Sequence, residues 1–278
     1  MKEAPPSHRT LPYPALQHQA VDWNEIMRRG HTIHGLLEAD ITETRRAIHR
    51  ARRENREPLS LTALIAATFA RAIAVDPSVQ AFRKGHNRLV LFEDVDVTVL
   101  VEHVVDGERI PVPHIVRAAQ RKSPGEIDRA IREATNEAEP YARARRFLPL
   151  WLRLPAFCRR FVWTRVLADP QRRKRLTGTA TVTAVGMFGR GGGWGIPFIS
   201  HSICLTIGGV ARRPGFGKGG QLEEREIVCL TISVDHDVVN GAPVARLVAR
   251  LRQEIEPAAL LAIDGPVLES GPAPRDGG

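Results

Sequence analysis

Lysine is nearly missing from this basic protein. Five of its forty basic residues are lysines and the rest are arginines. Cysteine is as sparse. Cys158, Cys204 and Cys229 are the only three, far apart and each in apolar surroundings. That pattern excludes a disulfide framework and a clustered zinc site, and it predicts reduced, buried thiols in a cytoplasmic protein. No apolar run is long enough to span a bilayer. Met1 to Thr10 is polar with no apolar stretch behind it, so no signal peptide is expected. Aromatic residues are few, at 5%, and unevenly placed.

Apolar residues make up 43% of the 278 positions, enough for a substantial core in one large domain or two small ones. The formal charge of +9 is concentrated in one place. Tyr141 to Gly178 holds ten arginines and Lys174 against one acid, Asp169, so this stretch carries +10 and the remainder sums to −1. Six of the fifteen aromatics fall in the same stretch: Tyr141, Phe147, Trp151, Phe157, Phe161 and Trp163. Phe147, Leu150, Trp151, Leu154, Phe157, Cys158, Phe161 and Val162 recur at helical spacing, with Arg153, Arg159 and Arg160 elsewhere on the wheel. Pro149 and Pro155 predict a broken helix pair. A basic segment with Trp and Phe on one side fits an anionic membrane surface peripheral to the cytoplasm, or a lid over an acyl chain. It also fits a protein interface or plain helical packing. No nucleic-acid-binding motif accompanies the charge, and nucleic acid is not an expected partner.

Most other segments read as alternating strands and helices. Residues 1–35 form an N-terminal arm, its prolines opposing helix at the start, with a short helix over Ala20 to Arg29. Thr32 to Ile41 can be a strand and Asp40 to Arg56 a helix. Ser60 caps an apolar helix that stops at Asp76-Pro77. Leu89 to Phe92 and Val95 to Val101 read as paired strands, followed by a turn at Asp106-Gly107. Pro111 and Pro113 mark Ile110 to Val116 as an edge strand. Ser123-Pro124 opens a helix. His31 and His34, three apart, have no carboxylate or cysteine cluster beside them, so no metal site is expected. Arg190 to Gly195 lacks the lysine and flanking elements of a phosphate loop and reads as a flexible loop. His114 and His201 read as structural. The tail 258–278 ends in a Gly-rich extension.

Two stretches carry the chemistry. In the first, a β-rich run, Ile227 to Val234, enters Asp235-His236-Asp237-Val238-Val239-Asn240-Gly241. A helix over Ala242 to Ile255 leaves it. His236 therefore sits where a buried strand ends and the chain turns, a favoured place for a reactive side chain. In the second, Thr177-Gly178-Thr179-Ala180-Thr181-Val182-Thr183-Ala184-Val185-Gly186-Met187-Phe188-Gly189 alternates as a strand and ends at glycine.

The first stretch resembles the D-H-R-x-x-D-G motif of the dihydrolipoamide acyltransferases of 2-oxo acid dehydrogenase complexes, and the H-H-x-x-x-D-G of chloramphenicol acetyltransferases. The second is similar to their G-T-F-T-I-S-N-L-G-M-F-G run. Asp237 replaces the usual Arg, Asn240 the commoner Asp, Thr183 the usual Ser and Ala184 the Asn after it. Pro197-Phe198-Ile199-Ser200-His201 stands where the family has I-I-N-P-P.

The resemblance implies an α/β (α+β) two-layer sandwich, a mixed sheet with helices on one face, of the chloramphenicol-acetyltransferase-like kind. The catalytic domain would span 36–257, with the basic amphipathic insert at 141–175. It implies a homotrimer with active sites between subunits, in which an acyl group moves between coenzyme A and a thiol, lipoyl-like, or hydroxyl acceptor. His236 would be the general base, Thr183 the oxyanion donor and Asn240 a supporting polar residue near the imidazole. Coenzyme A is then a substrate, and no tightly bound cofactor is implied. No residue can be assigned to coenzyme A binding. Fewer than forty residues precede the resembling region, and none of the five lysines lies in an Asp-Lys-Ala context. A free-standing acyltransferase without a lipoyl attachment site is therefore expected. The competing reading is a non-catalytic scaffold or membrane-tethering protein that keeps the fold.

Overall fold

The computed structural model describes residues 13, 15–27, 30–53, 59–105, 108–136, 147, 149–185, 191–217 and 219–257. The Asp106-Gly107 turn, the Gly186 to Gly189 end of the second motif stretch, residues 1–12, 14, 28 and 29 of the arm, residues 141–146 and 148 of the insert and the tail 258–278 lie outside them.

A six-stranded mixed sheet organises the chain. Its strands are β1 (Thr32–Asp40), β4 (Val97–Val105), β5 (Glu108–Val116), β6 (Ala180–Ala184), β7 (Ile203–Phe216) and β8 (Leu222–Asp235). Their order is β1-β8-β7-β6-β4-β5. β6 runs parallel to both neighbours, and the other pairings are antiparallel. β5 is an edge strand, where Pro111 and Pro113 cost least because one side of the backbone needs no partner.

Alternation along the strands separates two faces. Val97, Val99, Ala180, Val182, Ile203, Leu205, Val228, Leu230 and Ile232 point into the main core. Helices α2 (Thr42–Arg53), α3 (Leu61–Val75), α4 (Pro124–Asn136) and α7 (Gly241–Ile255) close that core from one side. The expected two-layer α/β sandwich is thus the observed architecture. α3 is its centre. Ser60 caps it by accepting a hydrogen bond from the Ala63 amide, and Leu64, Ile65, Phe69 and Ile73 are fully buried. Each such side chain contributes roughly 1.5–3 kcal/mol on leaving water. A capping box opens α4: the Ser123 amide donates to Glu126, and the Glu126 amide to the Ser123 hydroxyl.

Leu89 to Phe92 does not pair with Val95 to Val101. β3 (Arg88–Val90) instead pairs with β2 (Phe82–Lys84) in a separate two-stranded ribbon. Side chains take the amides that such a ladder would need. The Val95 amide donates to Gln120 and the Asp96 amide to the Thr179 hydroxyl. β1 begins at Thr32, so sheet pairing starts within the stretch read as an arm.

The insert is helical and its helices are broken, as its prolines predict. A helical turn at 149–152 precedes α5 (Ala156–Leu167) and α6 (Pro170–Thr177). Its orientation differs from the expected one. α5 packs on α1 (Ala15–Met27) through its arginines: Arg159 donates to Asp22 at 2.7 Å and Arg160 at 2.9 Å. Asp22 and Arg159 are buried, while Phe157 and Phe161 face water. Trp23 and Trp151 each meet Trp163 edge-on, at 6.0 and 6.5 Å.

Candidate active site

The end of β8 and the beginnings of β1, β6 and β7 meet along one margin of the sheet. Ile203 pairs with Val234, and Val234 with Ile33. β8 leaves this margin at Asp235 and turns through His236 and Asp237 to α7. The Asp235 amide donates to the Ser202 carbonyl at 3.0 Å, and the His236 amide to the His31 carbonyl at 2.7 Å. Asp235 Oδ1 accepts the Asp237 amide at 3.1 Å. Burial raises the Asp235 carboxyl above its usual range.

His236 itself is exposed on this turn. Its imidazole has no hydrogen-bond partner among the described residues, and neither does the carboxamide of Asn240. Asn240 occupies the N-cap position of α7 without a side-chain cap bond. It lies four residues after the histidine, but no hydrogen bond joins the two. Next to the histidine, His31 Nδ1 donates to Asp237 Oδ1 at 2.8 Å. Asp237 raises the His31 pKa, and His31 in turn lowers that of Asp237. His31 is a site neighbour that the sequence reading passed over as a rejected metal ligand. The only signal available was an acid in the place of the family arginine. Among the described residues no cluster of metal-ligating groups exists.

Thr183 lies elsewhere. It pairs with Thr206 across β6 and β7, and Thr206 with Thr231 across β7 and β8. His236 is five positions beyond Thr231. Five residues along a strand and two strands across put Thr183 and His236 on the order of 20 Å apart within one chain. The three threonines share the face opposite the main core. The hydroxyls of Thr206 and Thr231 are buried there with no partner among the described residues. The loop 191–195 lies over them. Gly208 and Gly209 permit this approach, because a Cβ at either would fall 2.1 and 2.2 Å from the carbonyls of Gly193 and Gly191.

His201 is buried and fastens the insert to the sheet. Its Nε2 donates to the Thr177 carbonyl at the end of α6. Its Nδ1 then accepts from the Thr181 hydroxyl at 2.6 Å, and the Ser200 hydroxyl lies 2.9 Å from the same nitrogen. Burial, with the neighbouring Arg173 cation, brings its pKa down to about 4 despite the Thr177 hydrogen bond. The ring is neutral at physiological pH and enclosed, which suits a structural role. Arg173 stacks over Phe82 at 4.2 Å and donates to the Ser200 carbonyl.

Comparisons with known proteins find a likeness in sequence over one region and in fold over most of the chain. Residues 169–263 match the family model for the 2-oxoacid dehydrogenases acyltransferase (catalytic domain), a span that contains both Thr183 and the His236 turn. Over 79 residues the chain is 32% identical to the lipoamide acyltransferase component of the branched-chain alpha-keto acid dehydrogenase complex of Bacillus subtilis, covering 28% of this chain and 19% of that protein. It is 30% identical over 86 residues to the mitochondrial counterpart from Arabidopsis thaliana, covering 30% of this chain and 17% of that one. The chain thus spans less than a fifth of the length of these curated relatives in the matched region. The fold likeness is broader. A probable dihydrolipoamide acetyltransferase from Listeria monocytogenes superposes with a TM-score of 0.67 at 17% identity, over 90% of this chain and 95% of the other. The dihydrolipoamide acetyltransferase of Azotobacter vinelandii gives 0.67 at 16% identity, over 95% of this chain and all of the other. Residues 169–263 are thus similar to the catalytic domain of the 2-oxoacid dehydrogenase acyltransferases, and the likeness in fold extends over most of the chain.

Proposed function

We propose that the chain is an acyltransferase that moves an acyl group between coenzyme A and a thiol or hydroxyl acceptor, working as a homotrimer. The observation that carries this reading is the family match over 169–263, which spans the Thr183 strand and the His236 turn together. The Azotobacter vinelandii structure was solved to investigate a serine, a histidine and an asparagine four positions after it in that enzyme's catalytic mechanism. Thr183, His236 and Asn240 offer a hydroxyl, an imidazole and a carboxamide with the same histidine-to-asparagine spacing.

A thiol acceptor is mostly protonated near neutral pH. The His236 imidazole takes its proton, and the thiolate attacks the thioester carbonyl of the acyl-coenzyme A. The carbonyl electron pair moves to oxygen, where the Thr183 hydroxyl donates a hydrogen bond to the resulting oxyanion. Collapse expels the coenzyme A thiolate, which recovers the proton from the imidazolium. Asn240 carries no charge, so its role is to orient. The separation of Thr183 from His236 within one chain favours a site shared between subunits.

The test is acyl transfer from coenzyme A thioesters to dihydrolipoamide and to simple hydroxyl acceptors. His236→Ala should lower the rate on the order of 10²- to 10⁴-fold. Thr183→Ala should lower it about 10²-fold, while Thr183→Ser retains most activity. A wild-type rate no faster than that of His236→Ala would discard the catalytic reading and leave a scaffold with this fold.

A further inference from the structure

The pair of helices α1 and α5 buries charge and exposes aromatic rings. Asp22 and the guanidinium of Arg159 meet inside it, and Arg160 reaches the same carboxylate. On the outer side Phe157 is 74% exposed and Phe161, one turn later, 61%. Leu150 in the preceding helical turn and Leu154 in the break before α5 are also exposed. Large apolar groups gathered on an outer surface mark a site of association.

We propose that this face of the insert docks on an anionic lipid surface. Charge selects the occupant. Arg165 stands 5.2 Å over the Phe161 ring, Arg153 lies in the break before α5, and Arg175 is exposed on α6. None of the three has a carboxylate partner among the described residues. The one acid between Tyr141 and Gly178 is Asp169, which caps α6 and lies 3.8 Å from Arg172. A second copy seated on this face by two-fold symmetry would set the cationic rim against itself, since Asp169 is the one acid among the described residues of 149–178. A nucleic acid would present phosphates to the centre of the patch, where Phe157 and Phe161 stand instead of cations. An anionic bilayer satisfies both parts: the rings enter the acyl boundary and the guanidiniums meet the headgroup phosphates. α5 has twelve residues, and no described helix is long and apolar enough to cross a membrane, so the helix lies in the surface. Arg159 and Arg160 are not part of the docking face, because Asp22 holds both.

Vesicle sedimentation of the full chain tests it, with phosphatidylcholine vesicles alone and with phosphatidylglycerol added. Binding should require the anionic lipid and weaken as salt rises. Phe157→Ser with Phe161→Ser should lower the bound fraction roughly tenfold, because both rings are exposed and the substitutions remove insertion without disturbing the core. Arg153→Glu with Arg165→Glu should abolish the preference for anionic lipid. Phe216→Ser with Leu222→Ser, equally exposed on the β7–β8 hairpin, should bind as the unaltered chain does. No sedimentation with anionic vesicles at low ionic strength would overturn the proposal. So would undiminished binding by the double phenylalanine variant. Loss of self-association in that variant by light scattering, with vesicle binding intact, would assign the face to a chain–chain contact and overturn it as well.

Discussion

His31 and Asp237 join the first strand of the sheet to the turn that carries His236. Their side chains meet at 2.8 Å, and the amide of His236 donates to the carbonyl of the same histidine. The pair is exposed, so its contribution to global stability is small, but its pH dependence has a definite sign. The folded-state pKa of His31 is raised above the ordinary 6.5, so its contribution is complete below 6.5 and lost as pH rises through the folded value. That of Asp237 is lowered below 3.8, so its contribution is complete above 3.8 and lost as pH falls through the folded value. The contact is therefore fully formed between about pH 4 and 6.5. An NMR titration should place the His31 midpoint above the ordinary histidine value, and Asp237→Asn should bring it down toward 6.5. A midpoint indifferent to Asp237→Asn would show that the contact is not populated in solution.

The separation of Thr183 from His236 within one chain leads to a second expectation. Subunits of His236→Ala and Thr183→Ala are each nearly inactive, but each retains the group that the other lacks. Unfolded together and refolded as mixed trimers, about one quarter of the intersubunit sites should regain both groups. Activity of the mixture well above that of either parent is the expected result. A mixture no more active than its parents would place both groups in one chain or remove Thr183 from the site.

The sheet and the His236 turn were legible because their signals are local. β8 alternates core-facing Val228, Leu230, Ile232 and Val234 with Cys229, Thr231 and Ser233, and the motif follows directly. The prolines of β5 likewise announced an edge. The insert was harder to read because helical periodicity gives a stripe without saying what it faces. Arg159 is turned inward by Asp22, a partner 137 positions away that no local window contains. The pairing of Leu89 was misread for a related reason: the Gln120 and Thr179 side chains that replace a strand beside Val95 and Asp96 are distant in sequence. The partner of His31 was not legible because Asp237 lies 206 positions away, across the β1–β8 pairing.

Asp22 should hold the insert in place. Removing it leaves Arg159 buried with no counter-charge, a change that typically costs about 3–5 kcal/mol. The low end applies here, because Arg160 keeps part of the triad in water. Burial pushes the Asp22 carboxyl upward, but the hydrogen bonds from Arg159 and Arg160 outweigh it and keep the pKa below 3.8. Its stabilisation is thus present above pH 3.8 and is lost on further acidification. Hydrogen exchange should show Asp22→Ala releasing amides of α5 while those of β7 and β8 stay protected. Equal loss of protection in sheet and insert would mean that the two unfold as one unit.

The loop 191–195 packs against β7 beside Thr206. Gly209 donates its amide to the Gly193 carbonyl at 2.8 Å, and a Cβ on it would lie 2.2 Å from the Gly191 carbonyl. Gly209→Ala must therefore push the 191–195 loop away from β7. Overpacking of this kind costs about 1–3 kcal/mol, so the melting temperature should fall by several degrees. The loop also shields Cys229, whose sulfur lies 3.4 Å from where a Cβ on Gly192 would be. In the unaltered chain Cys158 is the half-buried thiol, whereas Cys204 and Cys229 are buried. Burial pushes the Cys204 thiol up to about 12 and keeps it unreactive. An aromatic disulfide reagent should accordingly label Cys158 fast and the other two slowly. In Gly209→Ala a second thiol should become reactive, and it should disappear again when Cys229→Ser is added. If the second thiol survives Cys229→Ser, the loop is not what shields Cys229, and the close approach of Gly209 to Gly191 does not hold the loop against the sheet.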